Sequence, residues 1–153
     1  MVMVLLTITI LFARPTQANE IEDYLSKHDT VQEKVYTALK ILRCNYPDWH
    51  DNYERGKFDC SEMSAYVKYC FQNWGIPAAY CQSDALWHCW IEVDTETDKF
   101  LIECTQLVIV PQNKWEDNYY KFRDVRYNRY MKPSEVDWWN SEYLQCRPPL
   151  PGG

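Results

Sequence analysis

Glycine is scarce in this chain, with 4 in 153 residues, so the sequence does not read as a flexible, low-complexity tail. Positive charge is also in short supply: 16 Lys and Arg stand against 22 Asp and Glu, a formal net charge of −6. No basic patch interrupts the acidic balance, which argues against a phosphate backbone as partner. No pair of cysteines has the C-x-x-C spacing of zinc ribbons or thioredoxin-like sites, and no carboxylate cluster suggests calcium control. The longest apolar run, Met1 to Phe12, is shorter than the ~20 residues that span a bilayer, so no stable membrane insertion is expected. There are no internal repeats and no linker-like stretch.

What is present is apolar and aromatic. At 46% hydrophobic and 16% aromatic, the chain has the means to build a core of ordinary size. Thr16-Gln17-Ala18 follows the apolar run and Arg14-Pro15, with small residues where signal peptidase needs them. The expectation is a signal peptide over 1–18, a single domain over 19–153, and a secreted or otherwise exported, monomeric protein. Seven cysteines, at 44, 60, 70, 81, 89, 104 and 146, then suggest three disulfides and one free thiol.

Hydrophobic spacing gives the elements. Thr30 and Glu33 form a capping box ahead of Val31, Val35, Ala38, Leu39 and Leu42, predicting a helix over 31–43 after a short one near 20–27. Residues 44–58 read as a loop. Asp59 caps a second helix whose inward face is Met63, Tyr66, Val67, Cys70, Phe71 and Trp74, ended by Gly75. Strands are expected at 78–82, 87–94 and 99–110, the last two joined as a hairpin through Thr95 to Asp98. A further strand or two is expected within 119–130, and a helix over 134–144. Helices followed by strands make an α+β domain.

Three residues stand out chemically. Cys60 opens the second helix, where the positive end of the helix dipole and unpaired N–H groups favour a thiolate. His88 and Glu103 share one face of the hairpin in any register that keeps strand parity. Cys89 and Cys104 share the reverse face, where a cross-strand disulfide is conceivable. A carboxylate within the apolar Phe100-Leu101-Ile102 strand calls for a partner, and an imidazole beside a carboxylate is held in one tautomer. His28 and His50 read as surface residues. Tyr119-Tyr120 and Trp138-Trp139 read as packing.

The stretches Asp59-Cys60-Ser61-Glu62-Met63-Ser64-Ala65, Gly75-Ile76-Pro77-Ala78, His88-Cys89-Trp90-Ile91-Glu92-Val93 and Glu103-Cys104-Thr105 resemble, in order and spacing, the core of transglutaminase-like proteins. The resemblance covers residues 56–105, about a third of the chain. It implies a papain-like fold in which the nucleophile's helix packs on an antiparallel sheet. It also implies Cys60 as nucleophile, His88 as general base and acid, and Glu103 as orienter, where the family usually has Asp. The oxyanion-side residue upstream of the cysteine is Tyr46, Trp49 or Tyr53. A weaker resemblance is to NlpC-like cell-wall peptidases, which usually carry Gly where this chain has Glu62. The implied chemistry is cofactor-free acyl transfer from a protein or peptide substrate through a thioester, with hydrolysis favoured over cross-linking. The rival from another class is a non-catalytic, disulfide-rich binding domain in which Cys60 is paired.

Overall fold

The structure is a computed structural model that describes residues 17–128 and 142–145. Two helices open it, α1 (Gln17–Ser26) and α2 (Val31–Asn45), the second starting at the expected Thr30–Glu33 capping box. A loop with one 3-10 turn, His50–Asn52, leads to α3 (Cys60–Asn73). Five strands follow: β1 (Ala79–Ser83), β2 (His88–Asp94), β3 (Lys99–Glu103), β4 (Val108–Val110) and β5 (Arg126–Asn128). They form one antiparallel sheet in the order β4-β3-β2-β1-β5. A 3-10 turn at Gln112–Lys114 and the short helices α4 (Trp115–Asn118) and α5 (Glu142–Gln145) complete the described elements. The class is α+β, and among the described residues no helix is long and apolar enough to cross a membrane.

The core lies between the helices and one face of the sheet. Val35, Ala38, Leu39 and Leu42 from α2 meet Met63, Tyr66, Val67, Cys70 and Phe71 from α3, and Cys89, Ile91, Val93 and Ile102 complete the cluster. Each fully buried aliphatic or aromatic side chain here contributes about 1.5–3 kcal/mol relative to exposure. The opposite face of the sheet is covered too: Trp90, Leu101, Cys81 and Val110 pack with Tyr119. Both faces of β2 are therefore buried, with Ile91 and Val93 toward the helices and Trp90 on the other side.

The β2–β3 hairpin takes the Asp94↔Lys99 register, closed by Thr95 N–H donating to the Asp98 carbonyl at 2.8 Å. The strand expected over 99–110 is two strands. The chain turns back after Glu103, and Val108–Val110 pairs antiparallel with β3. Two features reverse it. Leu107 sits at φ 54°, in the left-handed region, and the Arg43 guanidinium holds the Leu107 carbonyl at 2.6 Å. With no Gly or Pro between 99 and 110, no turn signal marks this reversal in the sequence. Within 119–130 only Arg126–Asn128 is a strand among the described residues. The segment expected as a helix over 134–144 is described only from 142, where it is helical.

Candidate active site

Asp59 fixes where α3 begins. Its carboxylate accepts from the Ser61 N–H at 3.0 Å, and the Glu62 carboxylate reaches back to the Asp59 N–H at 3.0 Å in a reciprocal capping box. The other Asp59 oxygen takes the Gly56 N–H at 2.8 Å, which the φ of 77° at Gly56 makes possible. Burial works against the Asp59 charge, but the hydrogen bonds from Ser61 and Gly56 prevail and hold its pKa below the ordinary value. The loop over residues 54–58 is thereby tied to the helix start. The cap also occupies the first-turn amides of Ser61 and Glu62, and the Met63 N–H donates to the Asp59 carbonyl. That leaves Cys60's own N–H as the first-turn donor open to a ligand.

Cys60 is 8% exposed and forms part of a cleft of about 530 Å³, with Tyr53, Arg55, Trp87, His88 and Cys89 among its walls. His88, the first residue of β2, donates or accepts through Nε2 at 2.8 Å from Glu103 Oε2. With Nε2 so engaged, Nδ1 is the nitrogen available to Cys60. The structure thus brings Cys60, His88 and Glu103 together, although they lie on three different elements.

The electrostatics follow from those contacts. The Cys60 thiol faces the Trp87 carbonyl at 4.0 Å. The adjoining Cys89 thiol, and then His88 with its charge, outweigh burial and draw the Cys60 thiol down to about 5. Burial would lower His88, but the adjoining Cys60 and the hydrogen-bonded Glu103, with their charges, override this and raise it to about 9. Between those values the stable state is a thiolate–imidazolium pair. Glu103 is likewise opposed by burial, yet hydrogen bonds from His88, Thr105 and Tyr119 hold its carboxyl below the usual range.

Glu103 is the best-held group in the site. Oε1 accepts from the Thr105 N–H at 3.1 Å and from Thr105 Oγ1 at 2.8 Å. Oε2 accepts from the Tyr119 hydroxyl at 2.8 Å as well as facing His88. Four partners surround a carboxylate that is 9% exposed, which is what burying a charge requires.

Of the three candidates for the oxyanion side, Tyr46 and Trp49 are core residues. Tyr46 shares a 2.6 Å hydroxyl contact with Tyr66, and Trp49 Nε1 donates to the Cys104 carbonyl at 2.7 Å. Tyr53 alone of the three lines the cleft, 44% exposed. Burial and then the negative charges of Cys60 and Asp59 raise its phenol, so it stays protonated and able to donate. Trp87, 83% exposed at the mouth, is held at φ 51°, an uncommon conformation for a bulky residue.

Several expectations need correcting. All six described cysteines are free thiols, and Cys146 lies outside the described residues. The Cys89–Cys104 bridge is not formed. The β2–β3 ladder runs only from Asp94↔Lys99 to Ile91↔Ile102, so the two residues are not ladder partners. Instead the Cys89 sulfur accepts from the Tyr80 hydroxyl at 2.9 Å, while the Cys104 thiol turns to the Ile102 carbonyl at 3.6 Å. His28 is half-buried rather than on the surface, 3.3 Å from Thr37 Oγ1. His50 is exposed but sits 3.1 Å from the Thr105 carbonyl. Tyr119, taken as packing, reaches the site. The Thr105 role had a local signal, a hydroxyl residue two positions from the carboxylate; Tyr119 had none. The expected signal peptide and Trp138-Trp139 fall largely or wholly outside the described residues. Among the described residues no group of His, Cys, Asp and Glu is arranged to hold a metal ion.

Comparison with known proteins returns no match: no family model fits the chain, and neither the curated proteins nor the solved structures hold a significant relative. The likeness to transglutaminase-like proteins therefore stands on the residues quoted above.

Proposed function

We propose that the protein is a thiol acyl-transfer enzyme of the transglutaminase-like kind, with a papain-like core, acting on peptide or amide bonds of an exported chain's surroundings. The observation that carries this is that a helix-opening Cys60 and His88 line one cleft, with His88 Nε2 2.8 Å from the buried Glu103. In this mechanism the Cys60 thiolate attacks the substrate carbonyl carbon, and the oxyanion is held by the Cys60 N–H and the Tyr53 hydroxyl. The carbon–nitrogen bond breaks as His88 gives its proton to the departing amine. His88 then takes a proton from water, the hydroxide attacks the thioester, and the acid leaves as Cys60 returns to thiolate. Glu103 keeps the imidazole oriented and its cation stabilised throughout. The free state of Cys60 supports this reading over a binding domain in which it is paired.

The test is incubation of the protein with a mixed peptide library, with products identified by mass. The expected result is cleavage or side-chain deamidation that disappears in Cys60→Ala and after iodoacetamide treatment. A protein that changes no peptide, and whose Cys60 labels no faster than an ordinary thiol, refutes the proposal.

A further inference from the structure

Tyr119 arrives at the site from the far side of the sheet. It ends α4, its N–H donating to the Trp115 carbonyl at 2.8 Å, and lies beyond the segment that resembles a known family. Its ring packs edge-on against Trp90, with centroids 5.3 Å apart, and tilts against His88 at 5.9 Å. Its hydroxyl donates to Glu103 Oε2, the same oxygen that faces His88. Packing alone does not need that hydroxyl, because a phenylalanine ring would fill the space between Trp90 and His88 equally well.

We propose that Tyr119 is a positioning residue that shares Glu103 Oε2 with His88 and thereby limits how firmly His88 holds its proton; this rests on the thiol-enzyme reading above. Thr105 pins Oε1 through two donors, so the carboxylate keeps its place without Tyr119. What Tyr119 changes is the charge left for His88. When His88 is cationic it neutralises Oε2 itself. When His88 is neutral the bare carboxylate depends more on its remaining donors, so the Tyr119 hydroxyl stabilises that state more. Removing it favours the cation.

The other ionisable groups facing this pair are Cys60 at the start of α3, Cys104 just past β3 and Tyr53 from the preceding loop. All three are acids that favour the imidazolium when charged, and none can replace Tyr119 as donor to Oε2. Burial and the Glu103 charge raise the Tyr119 phenol, so it remains a donor throughout the working range.

The experiment is a titration of the histidine carbons by NMR in wild type, Tyr119→Phe and Tyr119→Leu, with His88 assigned from His88→Gln. Phe keeps the ring and loses the hydroxyl; Leu loses both and reports packing. The expected result is an upward move of the His88 midpoint by about half to one unit in Phe, with the fold retained. Peptide turnover is expected to fall several-fold while iodoacetamide labelling of Cys60 at neutral pH is kept, because a tighter proton impairs transfer to the leaving amine, not thiolate formation. An unmoved His88 midpoint in Tyr119→Phe, or the same shift only in Leu, overturns the proposal. The titration reads His88 directly, so it decides the role of Tyr119 even if the wild type cleaves no peptide, an outcome that would sink the enzyme assignment separately.

Discussion

Replacing Glu103 by Gln removes one charge and exchanges one oxygen for an NH₂ group, with almost no change in volume. Thr105 donates twice to Oε1, so the amide oxygen stays on that side and the new NH₂ group points at His88 and Tyr119. The Tyr119 hydroxyl can rotate and accept. His88 can accept only by moving its proton from Nε2 to Nδ1, which is the nitrogen that must receive the Cys60 proton. The variant therefore holds the wrong tautomer, and turnover should fall by about 10³–10⁴-fold. The ion pair weakens as well. A hydrogen bond to a charged group is worth about 1.5–3 kcal/mol, or roughly one to two pK units, so His88 should drop from about 9 toward neutrality. Cys60 should rise from about 5 toward an ordinary thiol.

The stability consequence has a definite sign. His88 is raised above its ordinary 6.5, so its contribution is complete below that value and is lost as pH rises through about 9. Glu103 is depressed, so its contribution is complete above the ordinary carboxylate range and is lost as pH falls through its lowered value. Glu103→Gln should erase the acid-side dependence and weaken the alkaline-side one, because Cys60 still raises His88. The assay is the rate of Cys60 alkylation by iodoacetamide from pH 4 to 10, beside thermal melts at the same pH values. An alkylation profile identical to wild type would refute the idea that Glu103 acts on Cys60 through His88.

Asp59→Ala should cost about 1–2 kcal/mol, because it removes the α3 cap and the Gly56 tether together; a denaturant melt measures it, with the Cys60 alkylation rate at pH 6 falling in parallel. Tyr53→Phe should lower turnover by about 10–10²-fold and leave iodoacetamide alkylation of Cys60 unchanged, since alkylation develops no oxyanion; equal loss in both assays contradicts the assigned role. Phe71→Ala, at a fully buried position between α3 and the sheet, should destabilise by about 3–5 kcal/mol, read as a lower denaturant midpoint.

The sequence by itself determined the local devices and the faces. The Thr30–Glu33 capping box, the Asp59 cap, the inward stripe of α3 and the hairpin turn between β2 and β3 depend on residues close together in the chain, where propensity and period are decisive. The pairing of His88 with Glu103 was legible for the same reason, because one hairpin and strand parity place them on one face. The break after Glu103 was not legible: it depends on a left-handed Leu107 and on Arg43, a residue from α2. The thiols were likewise decided by tertiary structure, because the short β2–β3 ladder ends before Cys89 and Cys104, and the Cys89 sulfur takes the Tyr80 hydroxyl instead. Tyr53 could be chosen over Tyr46 and Trp49 only once the core had claimed the other two. Tyr119 reaches Glu103 across sixteen residues and one sheet face, and such a contact leaves no periodic trace in a sequence. Short-range geometry writes itself into the order of residues, whereas hydrogen bonds that close over long loops are fixed by packing alone.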